Sequence, residues 1–415
     1  MTSAEGVLRL NDRGDFTVPS ASLYPFQWLW DAAFIALGWS TIDPARAWDE
    51  LDSVVRGQWD DGMMPHVVYH HPSALYFPDP DIWDVGRTPP TSGITQPPVL
   101  TSVVLALARA GTSDPATLER ARRLWPALLA CHHWFHTARA DPSTGLVASF
   151  HPWETGMDNS PPWDGPLARV PVGELAPYER KDTVAVAAEQ RPTTKEYDAY
   201  VAIVMHMRSV AYDQRVLLER APFAVADVGT NAILARADAD LVELARLLDV
   251  DTAAAEAWAA SSRQSLQELW DGASGCFCSR DLRTGTALGP ATGASFLPLW
   301  SSVISSSQAD ALCHHLARWE SAAGALVPST DPFSPAYDTS RYWRGPVWLN
   351  VNWMVAEGLR ATGNDGLAGR VADHSGRLVT HSGMREYFDP ASGAGLGAAD
   401  FGWTAALARY WLEMD

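Results

Sequence analysis

Hydrophobic positions recur along this chain with the spacing of amphipathic helices. Trp48, Leu51, Val54 and Val55 share one face of a segment opening on Asp43-Pro44, an N-cap residue followed by a proline suited to the first helical turn. Ile233, Leu234, Ala237, Leu241, Leu244 and Leu248 form a second such face. Read this way, the sequence predicts twelve helices, near 28–39, 44–57, 98–110, 115–138, 196–219, 224–248, 252–271, 293–301, 306–319, 345–361, 364–381 and 401–413. Strands or hairpins are expected only around 144–150 and 275–287, where glycine-bearing turns break the pattern.

Three long irregular stretches interrupt the helices: 70–96 with five prolines, 139–195, and the glycine-rich 382–400. Loops of this length are functional or disordered, and the aromatic residues in these favour ordered walls of a site. No compositional linker divides the 415 residues. The pattern therefore predicts one all-α domain over 1–415, with the three loops gathered at one end. Which helices lie inside and which outside does not follow from the pattern.

Nineteen tryptophans sharpen this picture. Trp48, Trp125, Trp258, Trp270 and Trp411 sit inside helical patterns and are expected in the core. Trp28, Trp30, Trp83, Trp153, Trp163, Trp343, Trp348 and Trp403 lie in or beside loops near acids, and such rings suit a ligand with apolar faces and polar edges, as sugars have. A net charge of −18 argues against nucleic acid or an anionic membrane as partner. The polar N-terminal stretch and the lack of a spanning apolar run predict no signal peptide and no membrane segment. Four cysteines, Cys131, Cys276, Cys278 and Cys313, form no disulfide or zinc pattern, which points to a reduced, cytoplasmic compartment. Adjacent histidines (70-71, 132-133, 314-315) diverge on a helix and cannot chelate together, so no metal or other cofactor is expected. Gly395-Leu396-Gly397 follows no strand and reads as a flexible flap. The sequence leaves a homo-oligomer open.

Candidate chemistry lies in the carboxylates. Cleaving a bond between sugars needs one protonated acid and one ionised base. Asp158, in the stiff turn of WETGMDNSPPWD between Trp153 and Trp163, is placed where burial would raise its proton affinity; the alternative is an Asx-turn carboxylate bonding nearby amides. Glu386 in REYFDP could instead form a surface ion pair with Arg385. In RPTTKEYDAY, Thr193 and Glu196 match a capping box, so a helix starts there. That leaves Arg191 and Tyr197 at its mouth, where a guanidinium could grip an anion or merely pair with one of the many acids.

Taken together, YPFQWLWDAAFIALGWSTIDPARAWDEL, RGQWDDGMMPHVVYH, GITQPPVL, WETGMDNSPPWD, RPTTKEYDAY, YWRGPVWLNVNWMVAEGL and REYFDPASGAGLGAADFGWTAAL resemble bacterial enzymes of glycoside hydrolase family 63, in particular its mannosylglycerate and glucosylglycerate hydrolases. The likeness runs in order from about residue 24 to 412. It implies an (α/α)6 barrel and metal-free hydrolysis with inversion. Asp158 would be the general acid and Glu386 the general base, their carboxyls roughly 6.5–9.5 Å apart to admit water. It implies Asp31 as acceptor of a sugar hydroxyl, with Tyr24, Trp28, Tyr69, Gln96, Trp153, Trp343 and Trp348 as further substrate-binding residues. Arg191, Tyr197 and Tyr342 would hold a glycerate carboxylate, so the partner is a small sugar-acid. Of the two hexoses the reading leans to 2-O-α-D-glucosylglycerate. The alternative is a neutral-substrate α-glucosidase of trehalase-like or debranching type; a non-catalytic sugar binder is the rival from another class.

Overall fold

Helix α2 (Leu29–Ser40, LWDAAFIALGWS) is buried at eleven of its twelve positions, and a helix apolar on every side has to be enclosed. The computed structural model describes residues 2–414. The other helices that build the fold are α1 (Ala4–Asn11), α3 (Pro44–Val55), α4 (Leu100–Ala110), α5 (Pro115–Trp134), α6 (Thr194–Ser209), α7 (Val228–Leu248), α8 (Ala253–Leu266), α9 (Pro298–Ser301, after a 3-10 turn at Gly293–Phe296), α10 (Ser306–Ala323), α11 (Leu349–Ala361), α12 (Asp365–Ser382) and α13 (Gly402–Tyr410). Helices α2, α4, α7, α9, α11 and α13 each pack on the next, and α13 returns to α2, closing an inner ring. Around it α3 covers α2, α5 covers α4, α8 covers α7, α12 covers α11 and α1 covers α13. Helix α10 reaches the ring through Trp319, whose ring stands 4.8 Å from Phe296. This is an (α/α)6 barrel.

The expected total of twelve holds for the barrel, with one exchange of members. Helix α1 is not among the expected helices; Ala4, Val7, Leu8 and Asn11 are its buried face, and Ser3 caps it by accepting from the Gly6 amide. The predicted helix 196–219 is not part of the ring. It breaks at Ala211 and Tyr212, both at positive φ, and resumes as Gln214–Arg220. Helix α6 instead packs with Phe77, Trp83, Ile94, Phe150, Trp163 and Phe223 in a second apolar core beneath the long loops. The loops are ordered because they carry this core of their own. Asp43 caps α3 as the sequence predicts, accepting from the amides of Ala45 and Arg46.

Strands are short. Ser279–Asp281 pairs with Ala287–Leu288 and with Val225–Ala226, fulfilling the expectation at 275–287. Residues 144–150 form only isolated bridges, Val147 to Ala140 and Ser149 to Val225. Helix α8 ends at Leu266, so Trp270 lies on a strand paired with Phe277 rather than on the expected helix. Among the described residues no helix is long and apolar enough to cross a membrane.

Neighbouring inner helices touch backbone to backbone. A Cβ on Gly38 of α2 would stand 2.5 Å from the Ala406 Cα of α13, closer than van der Waals contact allows. Gly38→Val should therefore lower stability by about 1–3 kcal/mol or more through overpacking. Gly376, on outer helix α12 with open space around it, should gain about 0.4–1 kcal/mol on replacement by Ala. Guanidinium unfolding midpoints of the two variants check both signs.

Candidate active site

The three long loops meet over one end of the barrel around a cavity of about 690 Å³, counting its open mouth. Tyr76 comes from loop 70–96, Trp153, Asp158, Asp182 and Arg191 from 139–195, and Glu386 from 382–400. Every site residue expected from the sequence lines this cavity except Tyr69. Tyr69 is buried behind the wall, where its hydroxyl donates to the Pro78 carbonyl at 2.8 Å and accepts from Trp83 Nε1 at 2.7 Å. Trp83 and Trp163 also fall short of the cavity: Trp163 donates to the Met157 carbonyl and packs edge-on against Phe223. Trp28, Trp30, Trp153, Trp343, Trp348 and Trp403 do form the aromatic wall.

Glu386 is buried and does not pair with Arg385, whose guanidinium donates to the Gly397 carbonyl. Its carboxylate accepts from Arg191 Nη1 and Nη2 at 3.2 Å each, from the Tyr24 hydroxyl at 2.8 Å and from the Ala398 amide at 2.8 Å. Its two oxygens thus serve as acceptors for a guanidinium, a phenol and a backbone amide. The Ala398 amide is delivered by a hairpin pairing Tyr387–Phe388 with Gly395–Leu396, so the glycine-rich stretch is an ordered support, correcting the expectation of a flexible flap. Gly397 turns there at φ 63°, where an added Cβ would run into the Glu386 carboxylate.

Asp158 is half-buried and faces the same cavity. Burial pushes its carboxyl up to about 7, with Arg191 opposing and the charges of Glu386 and Asp182 adding to the rise. Burial also lifts Asp31 well above the usual carboxylate range, and Glu386 adds to it. The site thus holds two carboxyls that favour the proton beside a third bonded to a guanidinium, a division of labour that suits acid–base chemistry.

The acid loop is held from below. Glu154, four residues before Asp158, accepts from Arg139 Nη1 at 2.9 Å and Nη2 at 2.6 Å, and from the Phe150 and Thr95 amides. Arg139 ends a π-helical turn, Phe135–Arg139, and lies between the Trp134 and Phe150 rings. Gln96, next to Thr95, accepts from the Trp30 amide, which leaves its NH2 group free for the cavity. On the far wall Asn159 accepts from the Trp343 amide, and the Trp343 and Trp348 rings stack 3.8 Å apart. Tyr342 between them and Arg191 takes a left-handed φ of 42°, backbone strain of the kind found at binding sites.

Several wall residues escaped the sequence reading: Trp30 and Trp403 in part, and His66, Tyr76, Gly156, Asp182 and Phe401 in full. His66 accepts from Trp28 Nε1, so its proton sits on Nδ1, and burial holds it down to about 3 and neutral. Its position after Met64-Pro65, in a segment with the resemblance noted above, was the available signal. Tyr197 of α6 reaches the wall behind the Thr193–Glu196 capping box, which is present as expected; its hydroxyl donates to the Phe77 carbonyl.

The chain matches the family model described as the mannosylglycerate hydrolase MGH1-like glycoside hydrolase domain over residues 24–404. It is 48% identical over 408 residues to the mannosylglycerate hydrolase of Thermus thermophilus, covering 98% of both chains. It is 33% identical to the glucosylglycerate hydrolase of Mycolicibacterium hassiacum, covering 98% of this chain and 96% of that one. Its fold superposes on the crystal structure of the Thermus thermophilus enzyme in complex with Tris and D-glycerate with a TM-score of 0.96 at 49% identity, covering 98% of each chain.

Two substitutions test the supports. Glu154→Gln leaves Arg139 buried beside a neutral amide, and losing one charge of such a pair should cost about 3–5 kcal/mol in denaturant unfolding. Gly397→Ala should displace the Glu386 carboxylate, with activity falling far more than the melting temperature.

Proposed function

We propose that this chain, which belongs to the mannosylglycerate hydrolase MGH1-like family of glycoside hydrolases, splits a 2-O-α-glycosyl-D-glycerate into free hexose and glycerate. The observation that carries this reading is the meeting of two unlike carboxyls in one cavity: Asp158 pushed up to about 7, and Glu386 ringed by donors that include the buried guanidinium of Arg191.

In the proposed reaction Glu386 takes a proton from a water molecule as that water's oxygen bonds to the anomeric carbon. The bond from that carbon to the bridging oxygen breaks, and the proton on Asp158 goes to the departing glycerate oxygen. Water on the face opposite the leaving group gives inversion. Asp31, with Trp28, Gln96, Trp153, Trp343 and Trp348, would hold the hexose; because burial makes Asp31 favour the proton, it can donate to a sugar hydroxyl as well as accept. Arg191, Tyr24, Tyr197 and Tyr342 would meet the glycerate. A guanidinium buried among acids explains how a chain of charge −18 would accept an anion, since a local ion pair outweighs a screened mean field. Loops 70–96, 139–195 and 382–400 would serve as the site walls of a single barrel domain. The sequence leans to glucosylglycerate, whereas 48% identity to a mannosylglycerate hydrolase against 33% to a glucosylglycerate hydrolase supports mannosylglycerate as the first substrate to assay.

Asp158→Asn and Glu386→Gln should each cut kcat by on the order of 10²–10⁴-fold, the usual worth of a general acid or base; either variant at near-normal rate removes that residue's role. Asp158 works protonated and its carboxyl is pushed up to about 7, so kcat/KM should fall as pH rises through about 7, and Asp158→Asn should abolish that alkaline limb. Proton NMR of the reaction with both glycosyl-glycerates should show the β-anomer first and rank the two hexoses; an initial α-anomer overturns inversion.

A further inference from the structure

The guanidinium proposed to receive the substrate's carboxylate is already engaged. Arg191 is 2% exposed, and both its Nη atoms donate to Glu386 while Nη2 also donates to the Tyr24 hydroxyl at 2.9 Å. Its Nε finds no partner among the described residues. The Tyr342 ring lies under it at 4.7 Å, and the Tyr24 and Tyr342 hydroxyls are 3.4 Å apart. The other arginine near this wall, Arg180, is taken by Asp182 through bonds of 3.0 and 2.6 Å and does not line the cavity. An entering carboxylate therefore meets, among the cations lining the cavity, the one that balances Glu386.

We infer that Arg191 is shared between the base and the substrate: an anionic leaving group draws the guanidinium partly off Glu386, and the substrate's own charge thereby makes Glu386 a stronger base toward water. This rests on the glycosyl-glycerate reading above and adds to it. Two anions competing for one cation each hold it less tightly than either would alone, and each also raises the proton affinity of the other. The remaining groups around Glu386 do not compensate. Tyr24 and the Ala398 amide already donate to it, Tyr387 beside it donates to the Gln190 carbonyl, Arg385 next to it in the chain faces the Gly397 carbonyl, and Asp31, Asp158 and Asp182 around the cavity add negative charge or none. The geometry thus turns the substrate's charge into a contribution to kcat, where a passive anchor would affect KM alone. A neutral ligand of the same shape would leave the Arg191–Glu386 pair closed and the base weak.

Changing the substrate tests this with the protein intact, which matters because Arg191→Ala would strand a buried carboxylate. The probes are a 2-O-α-glycosylglycerate and the matching 2-O-α-glycosylglycerol, in which CH2OH replaces the carboxylate, each followed from pH 4 to 9. The neutral analogue should lose about tenfold or more in kcat in addition to its loss in KM. For the glycerate substrate the acid limb of kcat should lie above the acid limb of kcat/KM, because the first reads the enzyme with substrate bound and the second without. For the neutral analogue the two limbs should coincide. Equal kcat for the two substrates with coincident limbs for both, the analogue losing only in KM, overturns the sharing and leaves the glycosyl-glycerate reading standing. Equal kcat/KM for the two overturns both.

Discussion

One guanidinium has to serve several carboxyls that line a single cavity. Arg191 pairs with Glu386, Arg180 pairs with Asp182, and among the described residues no further arginine or lysine lines the cavity beside Asp31 or Asp158. A carboxyl in that position either ionises at great cost or keeps its proton. The raised proton affinity of Asp158 and Asp31 is thus set first by burial, with little positive charge in the cavity to offset it, and every wall residue acts inside that constraint. Tyr24 bridges the ion pair, Tyr342 supplies a π-face to the guanidinium, and the hairpin at 387–396 brings in one more donor without bringing in charge.

A site of this kind is only as exact as the loops that bear it, and these loops are unusually well founded. The second apolar core gives them an interior, and the Arg139–Glu154 pair ties the turn carrying Asp158 to the amides at Phe150 and Thr95. That pair is buried, and its acceptors and donors are used several times over, the condition under which a charge pair far from water holds a geometry in place. Its location just below the acid loop keeps Asp158 and Gln96 on common footing.

Much of this was legible in the chain. Local signals survived: the Asp43-Pro44 cap and the Thr193–Glu196 box are where the sequence puts them, because each depends on atoms within one helical turn. The number of barrel helices came out right while one member was misplaced. Ala4–Asn11 is short, and its apolar residues Ala4, Val7 and Leu8 mean little until α13 offers them a surface; 196–219 has a convincing pattern, yet its apolar face belongs to the loop core. The same limit explains the aromatic residues. Trp83, Trp163 and Tyr69 sit beside acids in sequence as Trp153 and Trp348 do, and only long-range packing decides which ring faces the cavity and which faces inward. Arg191 could be named as an anion grip, but its engagement with Glu386, 195 positions away, leaves no local trace.

The pairing of α1 with α13 has a consequence for how the ring can come into being. The contact that closes the inner ring joins residues 29–40 to 402–410, α1 lies over that last helix, and the Asn11 side chain reaches the Asp400 carbonyl. A contact between segments so far apart offers nothing to the first helices formed, since the entropy of looping nearly the whole polypeptide must be met before it rewards anything. Partial arcs of staves would leave both ends of the apolar ring wet, so closure and burial are gained together in a late, cooperative step. The hairpin bearing Glu386 lies immediately before the last stave, and the base therefore meets Arg191 in the same stretch of assembly that seals the ring.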